Sequence, residues 1–334
     1  MNAVAFGPEL NDALDAAAER LDRGLLVAFP TETVYGLGAD AASGAAVARI
    51  FVAKGRPSDH PLIVHLAPTT DPLQWARDMP PLAMRLVEAF WPGPLTLIVP
   101  RRDGVGAAAA GGQDSIGLRC PSHPVAQELL GRYAALRGHG PIGLAAPSAN
   151  RFGRVSPTRA AHVLAEFDDA STVVDHATIF VVDGGDCPVG IESTILDCSR
   201  LDGIGPVLLR PGSVTAAMLA EVIGALPAGA DRDAPRAPGT LESHYAPSTP
   251  VRLVDADALM DVPLDVAVWS WSVTAPAGGG PWRCAPLDAA TYAHELYAVL
   301  RALDELTARE IWIERPPEAG EWAGVVDRLV RAAA

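Results

Sequence analysis

The chain has 334 residues, of which 49% are hydrophobic, with 31 glycines and 30 prolines. This length exceeds the usual size of one hydrophobic core, so two domains are expected, and the composition excludes a disordered chain. The formal net charge of −14 disfavours nonspecific binding to the phosphates of RNA or DNA.

The first two thirds of the chain alternate between helical and strand patterns. A helix is predicted at residues 9–22, where apolar residues recur on one face, and Ser43 is a candidate N-cap for the next helix. A further helix at about 215–226 ends this part. Apolar runs predict strands at residues 25–29, 61–66, 95–100, 115–119, 141–147, 178–184, 193–198 and 206–210. Such alternation predicts an α/β fold with a largely buried, mixed sheet.

Residues 227–250 have the composition of a linker. They contain five prolines, three of them in Ala-Pro steps, which is typical of an extended and semi-rigid segment. The α/β pattern then restarts, with strands at 251–255, 265–270 and 311–314 and helices at about 288–307 and 321–333. We therefore predict a first domain at residues 1–226, a linker at 227–250 and a smaller α/β domain at 251–334.

Cysteine usage and the absence of targeting signals indicate a cytoplasmic protein. The four cysteines form no C-x-x-C pair and no histidine cluster has zinc spacing, so reduced thiols and no zinc site are expected. The first ten residues lack a basic segment followed by an apolar core, which argues against a signal peptide. No apolar run reaches the length of about 20 residues that crosses a bilayer.

The stretch FPTETVYGLGADA, residues 29–41, formally contains a dinucleotide-binding fingerprint. In a dinucleotide fold the first glycine follows the strand almost at once, but six residues intervene here. The next predicted strand ends in His and Leu, not in the acidic residue that binds a ribose. A dinucleotide site is therefore disfavoured, and the sequence contains neither a P-loop nor a nucleophile elbow.

Cations and hydroxyl side chains recur in five loops near the ends of predicted strands. Lys54 and Arg56 precede one strand, and Arg119 ends another. The other three loops are residues 144–158, 184–197 and 207–213. Each loop alone is also compatible with a solvated helix end, a surface ion pair or a capped helix. Together, on an acidic protein, they suit a polyanionic small molecule with a carboxylate partner, such as a nucleotide and an amino acid.

Seven ordered motifs resemble the YrdC-like threonylcarbamoyl-AMP synthase family. They are FPTETVYGLGADA, KGRPSDHPLIVH, FWPGPLTLIV, RCPSHPVA, APSAN with SPT, DGGDCPVGIESTILD and LLRPG, within about residues 10–226. HYAP at 244–247 and the C-terminal DRLVRAAA resemble the long, two-domain form of that family. The resemblance implies a YrdC-like twisted mixed sheet with helices around a concave, positively charged cavity, plus a smaller Rossmann-like α/β C-terminal domain.

The activity implied by the resemblance is L-threonylcarbamoyladenylate synthesis. Members of the family join L-threonine, bicarbonate and ATP into threonylcarbamoyl-AMP and release pyrophosphate. The product serves the threonylcarbamoyladenosine modification of tRNA, through a tRNA threonylcarbamoyl-transferase complex. We expect Mg²⁺ to accompany ATP, with the metal ligands left open, and no membrane partner or tight direct nucleic-acid binding. No covalent nucleophile is needed, because positioning and charge stabilisation suffice for this chemistry.

The resemblance also implies which residues hold threonine. They are Thr33, His65, Arg119, the backbone at Ala146, and Ser193. Arg119 suits the amino acid carboxylate as a bidentate fork. Gly36 and Gly38 are then expected to let the backbone turn close to the site.

A second set of residues is implied for ATP. It comprises Arg56, the position of His60, Ser115, Ser148, Ser156, Arg210 and, from the linker, Tyr245. Lys54 is added as a phosphate contact because it lies beside these residues in the sequence. Two features depart from the family, since His60 stands where Asn is usual and residues 240–243 lack the usual cations. No phosphate contact is expected from those four linker positions.

Two other functions are weighed against this one. An RNA-binding YrdC-like module without catalysis is disfavoured by the net charge. A carbamoyltransferase that uses carbamoyl phosphate would need a further metal-dependent domain, for which the chain has neither the length nor a histidine cluster. The long linker is expected to act as a lid that closes over the nucleotide through Tyr245, with a passive tether as the alternative.

Overall fold

The computed structural model describes residues 6–167 and 179–334, and the described residues form two helix-covered sheets. This confirms the α/β class and the second α/β domain expected from the sequence. The helices of the first domain are α1 (Pro8–Asp22), α2 (Gly44–Lys54), α3 (Pro81–Phe90), α4 (Pro124–Arg137), α5 (Ala160–Glu166) and α6 (Ala216–Ile223). Its strands are β1 (Val27–Pro30), β2 (Tyr35–Asp40), β3 (Ile63–His65), β4 (Leu95–Pro100), β5 (Ser115–Arg119), β6 (Leu144–Ala145), β7 (Phe180–Val181), β8 (Thr194–Asp197), β9 (Val207–Arg210) and β10 (Ala228–Gly229).

The first sheet is mixed, with the strand order β10-β9-β8-β4-β5-β3-β6-β2-β1-β7. The strands predicted at residues 95–100 and 115–119 have the observed bounds of β4 and β5, and Ser43 caps α2 by accepting a hydrogen bond from the backbone of Ala46. The strand predicted from residue 178 begins outside the described residues, and β7 is its described part. Parallel pairing of β3 with β5 places His65 directly beside Arg119.

The glycine-rich segment forms strand β2, so the expectation that Gly36 and Gly38 turn the backbone is wrong. Neither glycine has a positive φ. A Cβ added at Gly38 would lie 2.7 Å from the Phe29 ring, and one at Gly36 would lie 3.3 Å from the Ala146 Cβ. The two glycines are therefore explained by close packing of β2 against its neighbours.

The second domain is a four-stranded parallel sheet in the order β11-β14-β12-β13. The strands are β11 (Val251–Val254), β12 (Val266–Ser270), β13 (Trp282–Cys284) and β14 (Glu310–Glu314), and the helices are α7 (Ala289–Asp304) and α8 (Ala323–Ala332). Short 3₁₀ helices occupy Ala256–Asp261 and Gly320–Trp322. The sequence did not predict β13, a three-residue edge strand whose side chains are only partly buried or exposed.

The linker predicted at residues 227–250 contacts both domains. Its first residues form β10, which pairs with β9 of the first sheet. Further along, the backbone of Ala246 donates to the Gly153 carbonyl at 3.0 Å, and that of His244 donates to the Arg331 carbonyl at 3.1 Å. The proposed limits of the two domains and the linker remain a prediction.

Three of the four free cysteines are buried, as the sequence suggested, and Cys284 is exposed. Burial raises the pKa of Cys120 and of Cys198 to about 12, so both remain neutral thiols. Among the described residues, none of the helices combines the length and the apolar character needed to span a membrane.

Candidate active site

Two adjoining cavities lie between the first sheet and the linker, and both are bordered by Ile63 of β3 and Pro238 of the linker. The larger encloses about 530 Å³ and the smaller about 260 Å³. Nine of the thirteen predicted ligand-binding residues line the larger cavity, namely Thr33, Arg56, His65, Arg119, Ala146, Ser148, Ser193, Arg210 and Tyr245. Ser115 lines the smaller cavity. The remaining three, Lys54, His60 and Ser156, line neither of these two cavities.

A tight turn between β1 and β2 carries Thr33 into the cavity. The Thr31 hydroxyl accepts hydrogen bonds from the backbone amides of Thr33 at 3.2 Å and Val34 at 3.3 Å. It donates to the Val34 carbonyl at 2.7 Å. The hydroxyls of Thr31 and Thr33 are 2.8 Å apart. The hydroxyl pair of the TETV segment therefore builds this turn locally, as Thr side chains commonly do.

Arg119 lies at the end of β5 with its guanidinium buried in the cavity wall. It donates to the Thr33 hydroxyl at 2.9 Å and forms an ion pair of 2.6 Å with Glu32. The second carboxylate oxygen of Glu32 accepts from the backbone of Ser122 at 3.1 Å. Sequence reasoning gave Glu32 no role, although a carboxylate between two cavity-side threonines was a usable signal. Glu32 fixes the direction in which Arg119 presents its remaining donors.

His65 is a neutral residue of the same wall. Burial, reinforced by the charge of Arg119, lowers its pKa to about 3. Its Nδ1 lies 3.2 Å from the Ile63 carbonyl, and the ring also has a backbone hydrogen bond with Leu144. The imidazole is therefore a neutral, backbone-anchored group of the wall at neutral pH.

Two buried arginines form the cationic side of the cavity. Arg56 donates to the Pro61 carbonyl at 2.9 Å, and its Nε is buried without a hydrogen-bond partner among the described residues. Burial lowers the pKa of Arg56 to about 10, so it stays charged at neutral pH. Arg210 donates to the carbonyls of Ser193 at 2.9 Å and Pro238 at 3.0 Å. Paired buried cations with spare donors suit a phosphate or carboxylate ligand.

Lys54 supports the loop that lines the cavity. Its ammonium donates to the carbonyl of Ser148 at 2.6 Å and to that of Asn150. Burial, with the charge of Arg56 next, lowers the pKa of Lys54. The Asn150 side chain, which sequence reasoning missed, donates to the Arg154 carbonyl at 2.8 Å and so closes the same loop. The contact of Lys54 with phosphate stays a prediction.

His60 and Ser156 contact other side chains instead of lining either cavity. The His60 ring makes an edge contact with Phe152, with centroids 5.5 Å apart. The Ser156 hydroxyl donates to Glu192 at 2.5 Å. Their contacts with ATP stay predictions.

The linker closes the cavity with Tyr245, whose side chain is buried. The residue has a φ of 63°, a left-handed conformation that side chains other than glycine rarely adopt. Its hydroxyl lacks a hydrogen-bond partner among the described residues, and its ring packs between His244 and Tyr297, with centroids at 4.1 and 5.7 Å. A buried, unpartnered hydroxyl on a strained residue indicates a group held for a ligand.

Glu192 also lines the cavity and had no role in the sequence analysis. Burial would raise the pKa of this carboxyl, but Arg328, Arg210 and hydrogen bonds from Arg328 and Ser156 lower it to about 2. The cavity therefore contains one ionised carboxylate from the GIEST segment. No sequence signal pointed to its partner Arg328, which lies 136 residues away.

Comparisons with known proteins identify the family of the chain. The family model described as "Telomere recombination", which covers Sua5, YciO and YrdC, matches residues 19–212. A second model, described as "Threonylcarbamoyl-AMP synthase, C-terminal domain", matches residues 214–334. The threonylcarbamoyl-AMP synthase of Bacillus subtilis is 36% identical over 342 residues, covering 95% of this chain and 92% of that protein.

Two archaeal comparisons cover sequence and structure. The threonylcarbamoyl-AMP synthase of Pyrococcus abyssi is 43% identical over 244 residues, covering 72% of this chain and 67% of that protein. The crystal structure of P. abyssi Sua5 complexed with L-threonine has a TM-score of 0.84 and 34% identity, covering 96% of this chain and 94% of that chain. The chain belongs to the Sua5, YciO and YrdC family, in the form that carries the C-terminal domain of threonylcarbamoyl-AMP synthases.

Proposed function

We propose that the protein is an L-threonylcarbamoyladenylate synthase, a nucleotidyltransferase that forms threonylcarbamoyl-AMP and pyrophosphate from L-threonine, bicarbonate and ATP. The observation that carries the proposal is that residues predicted for both substrates border one cavity beneath the linker. Relatives bearing this name match nearly the whole chain, and one solved relative was crystallised with L-threonine.

Threonine is assigned to the sheet side of the cavity. The Arg119 guanidinium, held by Glu32, faces the substrate carboxylate, and the Thr33 hydroxyl lies beside it. Neutral His65 and the hydroxyl of Ser193 supply further polar contacts. A buried arginine already oriented by its own carboxylate binds an anion with little reorganisation.

ATP is assigned to the arginine side and to the smaller cavity. Arg56 and Arg210 face the triphosphate, and the free Nε of Arg56 and the free hydroxyl of Tyr245 are donors that suit phosphate oxygens. The smaller cavity has mainly apolar walls, with Thr96, Gln113, Ser115 and Arg236 as its polar lining, which suits an adenine ring.

The reaction needs orientation and charge stabilisation more than acid–base chemistry. The neutral threonine amine adds to carbon dioxide with loss of a proton, or condenses with bicarbonate with release of water, to give a carbamate. The carbamate oxygen then attacks the α-phosphorus, and the bond to the leaving pyrophosphate breaks. Arg56 and Arg210 stabilise the charge on the phosphates in this step. The buried Tyr245 and the linker above the cavity exclude water from the carbamate and the mixed anhydride.

Mg²⁺ is expected to arrive with ATP and to offset charge on the leaving pyrophosphate. Among the described residues there is no group of three or more His, Cys, Asp or Glu side chains that could hold a metal ion. The unpartnered cavity groups Arg56 and Tyr245 are donors that fit the nucleotide phosphates instead of a metal. The product is proposed to pass to a tRNA threonylcarbamoyl-transferase complex in the cytoplasm. An RNA-binding module without catalysis is not favoured, because the matched relatives are named as synthases.

The direct test is pyrophosphate release from ATP with each amino acid in turn. We expect release only when L-threonine, bicarbonate and Mg²⁺ are all present. Equal release with serine, or without an amino acid, would contradict the proposed activity. A filter-binding salt titration with RNA is the matching test of the alternative, which requires affinity that falls steeply with salt.

A further inference from the structure

An arginine of the second domain reaches the wall of the cavity in the first. Arg328 of α8 is fully buried, and its Nε donates to a carboxylate oxygen of Glu192 at 2.8 Å. The same guanidinium donates to the backbone carbonyl of Glu192 at 3.1 Å and to that of Pro211 at 2.8 Å. One side chain therefore binds three acceptors on the cavity-side segment of the other domain.

Residues 190–192, which include Glu192, pack tightly against the second domain. A Cβ added at Gly190 would overlap the Ala293 carbonyl of α7, and one added at Gly324 of α8 would lie 2.8 Å from Ile191. The close backbone approach at Gly190 and the contact of the Ile191 side chain at Gly324 hold this segment in place. The position of the Glu192 carboxylate thus depends on α7 and α8.

The charge of Glu192 is unfavourable for a nucleotide. Its carboxylate lines the same cavity as Arg56 and Arg210, to which we assign the triphosphate. An unbalanced carboxylate there would repel the phosphates, because charges interact strongly in a buried site. Arg328 does not line the cavity, so it balances Glu192 from behind without competing for the ligand. The other carboxylate on Arg328, Asp327, is itself paired with Arg331 at 2.9 Å.

Arg328 also supports the linker residue that closes the cavity. Its guanidinium carbon lies 5.5 Å from the centre of the Tyr245 ring, within the range of a cation–π contact. Tyr297 of α7 donates to the same Glu192 oxygen at 2.8 Å and packs against the other side of Tyr245. The cavity wall and the lid residue are thus held by the same two helices.

We propose that Arg328 is a positioning residue of the nucleotide site, which neutralises Glu192 and supports Tyr245 so that the cavity accepts a triphosphate. The C-terminal domain then contributes to ATP binding, in addition to anchoring the linker. The inference rests on the proposed function, because it assigns ATP to this cavity. The alternative is that the ion pair of Glu192 and Arg328 only stabilises the fold. In that case, loss of either residue should weaken ATP binding by a similar factor.

The test compares Glu192→Gln, Arg328→Met and the double variant in the full chain, by calorimetric titration with MgATP and separately with L-threonine. Arg328→Met should raise the Kd for ATP by about tenfold or more, because it leaves a carboxylate unbalanced in the cavity. Glu192→Gln should leave the Kd for ATP unchanged or lower, because the amide removes a negative charge, its oxygen can accept from Arg328 and Tyr297, and the Ser156 hydroxyl can turn to accept from its nitrogen. The double variant should return to within about threefold of the unaltered protein. Arg328→Met should change threonine affinity less than ATP affinity.

Opposite effects of the two single variants distinguish charge balance from packing. If both single variants weaken ATP binding by similar factors, the pair is structural and the inference is wrong. Arg309→Met is the control, since Arg309 is an exposed arginine of the same domain paired with Asp265, and its loss should leave ATP binding unchanged.

Two further outcomes separate this inference from the proposed function. Unchanged ATP binding by folded Arg328→Met would overturn the inference alone, whereas no ATP binding by the unaltered protein would overturn both. If Arg328→Met does not fold, Glu192→Gln decides the matter, and weaker ATP binding by that variant would overturn the inference.

Discussion

The two walls of the cavity are built in different ways. On the sheet wall, Arg119 and Thr33 are bonded to each other, and Glu32 completes the set within the same domain. On the linker wall, the Tyr245 hydroxyl and the His244 Nδ1 are buried without a hydrogen-bond partner among the described residues. The sheet wall thus already contains an ion pair and a hydrogen bond between its own side chains, whereas the linker wall presents polar atoms that lack a hydrogen-bond partner among the described residues.

This difference suggests separate tasks for the walls. A wall whose arginine is already ion-paired within the same domain is preorganised and orients the reacting groups with little entropy cost. A wall with unpartnered polar groups gains its missing hydrogen bonds only when a ligand binds. Ligand binding therefore stabilises this wall in the closed position over the ligand. We therefore expect threonine binding to depend on the sheet wall, and enclosure of ATP to depend on the linker wall.

The largest expected effect on ligand binding comes from removing one of the buried arginines of the cavity at a time. Arg119→Ala should weaken threonine binding by about 1.5–3 kcal/mol, or about ten- to a hundredfold, because a charge-assisted fork is lost. Arg56→Ala should instead weaken ATP binding more than threonine binding. Calorimetry with each ligand measures both variants, and equal losses of both ligands in both variants would contradict the assignment.

A double variant separates binding from stability at Arg119. Removing this arginine alone leaves Glu32 buried and unpaired, which is expected to lower the free energy of unfolding by about 3–5 kcal/mol. Arg119→Ala combined with Glu32→Gln should recover much of that stability but none of the threonine affinity. Recovery of threonine binding in the double variant would show that Arg119 acts only through folding.

A smaller effect is expected at the linker wall from Gly239→Ala. Gly239 has a φ of +72°, and an added Cβ would overlap the Tyr245 hydroxyl. The substitution should displace Tyr245 and weaken ATP binding, together with a loss of about 1–3 kcal/mol of stability from backbone strain and overlap. Chemical denaturation and ATP titration measure the two effects.

Gly278→Ala is the matched control for this substitution. Gly278 has a similar φ of +74°, but an added Cβ would meet no atom within 4 Å. It should show the cost of the left-handed backbone without any change in ATP binding. Equal ATP affinities in the two variants would mean that Tyr245 does not contact the nucleotide.

The sequence predicted the α/β fold, and most of the residues it singled out border one cavity, because apolar periodicity and strand-end loops are local patterns. Strand β2 was missed because its glycines imitate a turn, and their role in close packing depends on Phe29, a neighbour across the sheet. Glu32 and Glu192 were missed for another reason. The flanking threonines could have drawn attention to Glu32, but the partners Arg119 and Arg328 are far away in the chain, so the local sequence identifies neither ion pair. Whether the predicted residues touch the ligands stays a prediction.

Limited proteolysis tests whether the linker wall encloses ATP. Arg236 is tied to the first domain through its backbone amide, 2.8 Å from Gln113, and its side chain, 3.0 Å from Asp59. These contacts are exposed and few, so brief opening of the linker is expected without ligand. MgATP should slow tryptic cleavage after Arg232 and Arg236 severalfold, because the nucleotide adds contacts to Tyr245.

The same cleavage distinguishes a lid from a tether. Asp59→Asn should speed cleavage at Arg236 without ligand, since the ion pair between Asp59 and Arg236 is lost. ATP should still protect the bond in this variant. If protein cut at Arg236 retains its rate of pyrophosphate release and its product yield, the linker is a passive tether.

The smallest predicted effect is a pH dependence of linker opening, and it again separates the two walls. Burial, followed by nearby charges including Lys54 and Arg56, lowers the pKa of His244 to about 3, against an ordinary value of 6.5. The closed linker therefore binds fewer protons than the open one between those values. Closure is fully stable above pH 6.5 and weakens as the pH falls below that value, by about 1.4 kcal/mol per pH unit.

Lowering the pH from 7.5 to 5.5 should thus speed cleavage at Arg236 up to about tenfold relative to cleavage of His244→Gln. Dividing by the rate for His244→Gln removes the pH response of trypsin itself. His65→Gln, on the sheet wall, should keep the pH response of the unaltered protein, because that wall stays closed when the linker opens. A constant ratio to His244→Gln, or loss of the response in His65→Gln, would mean that the two walls open together.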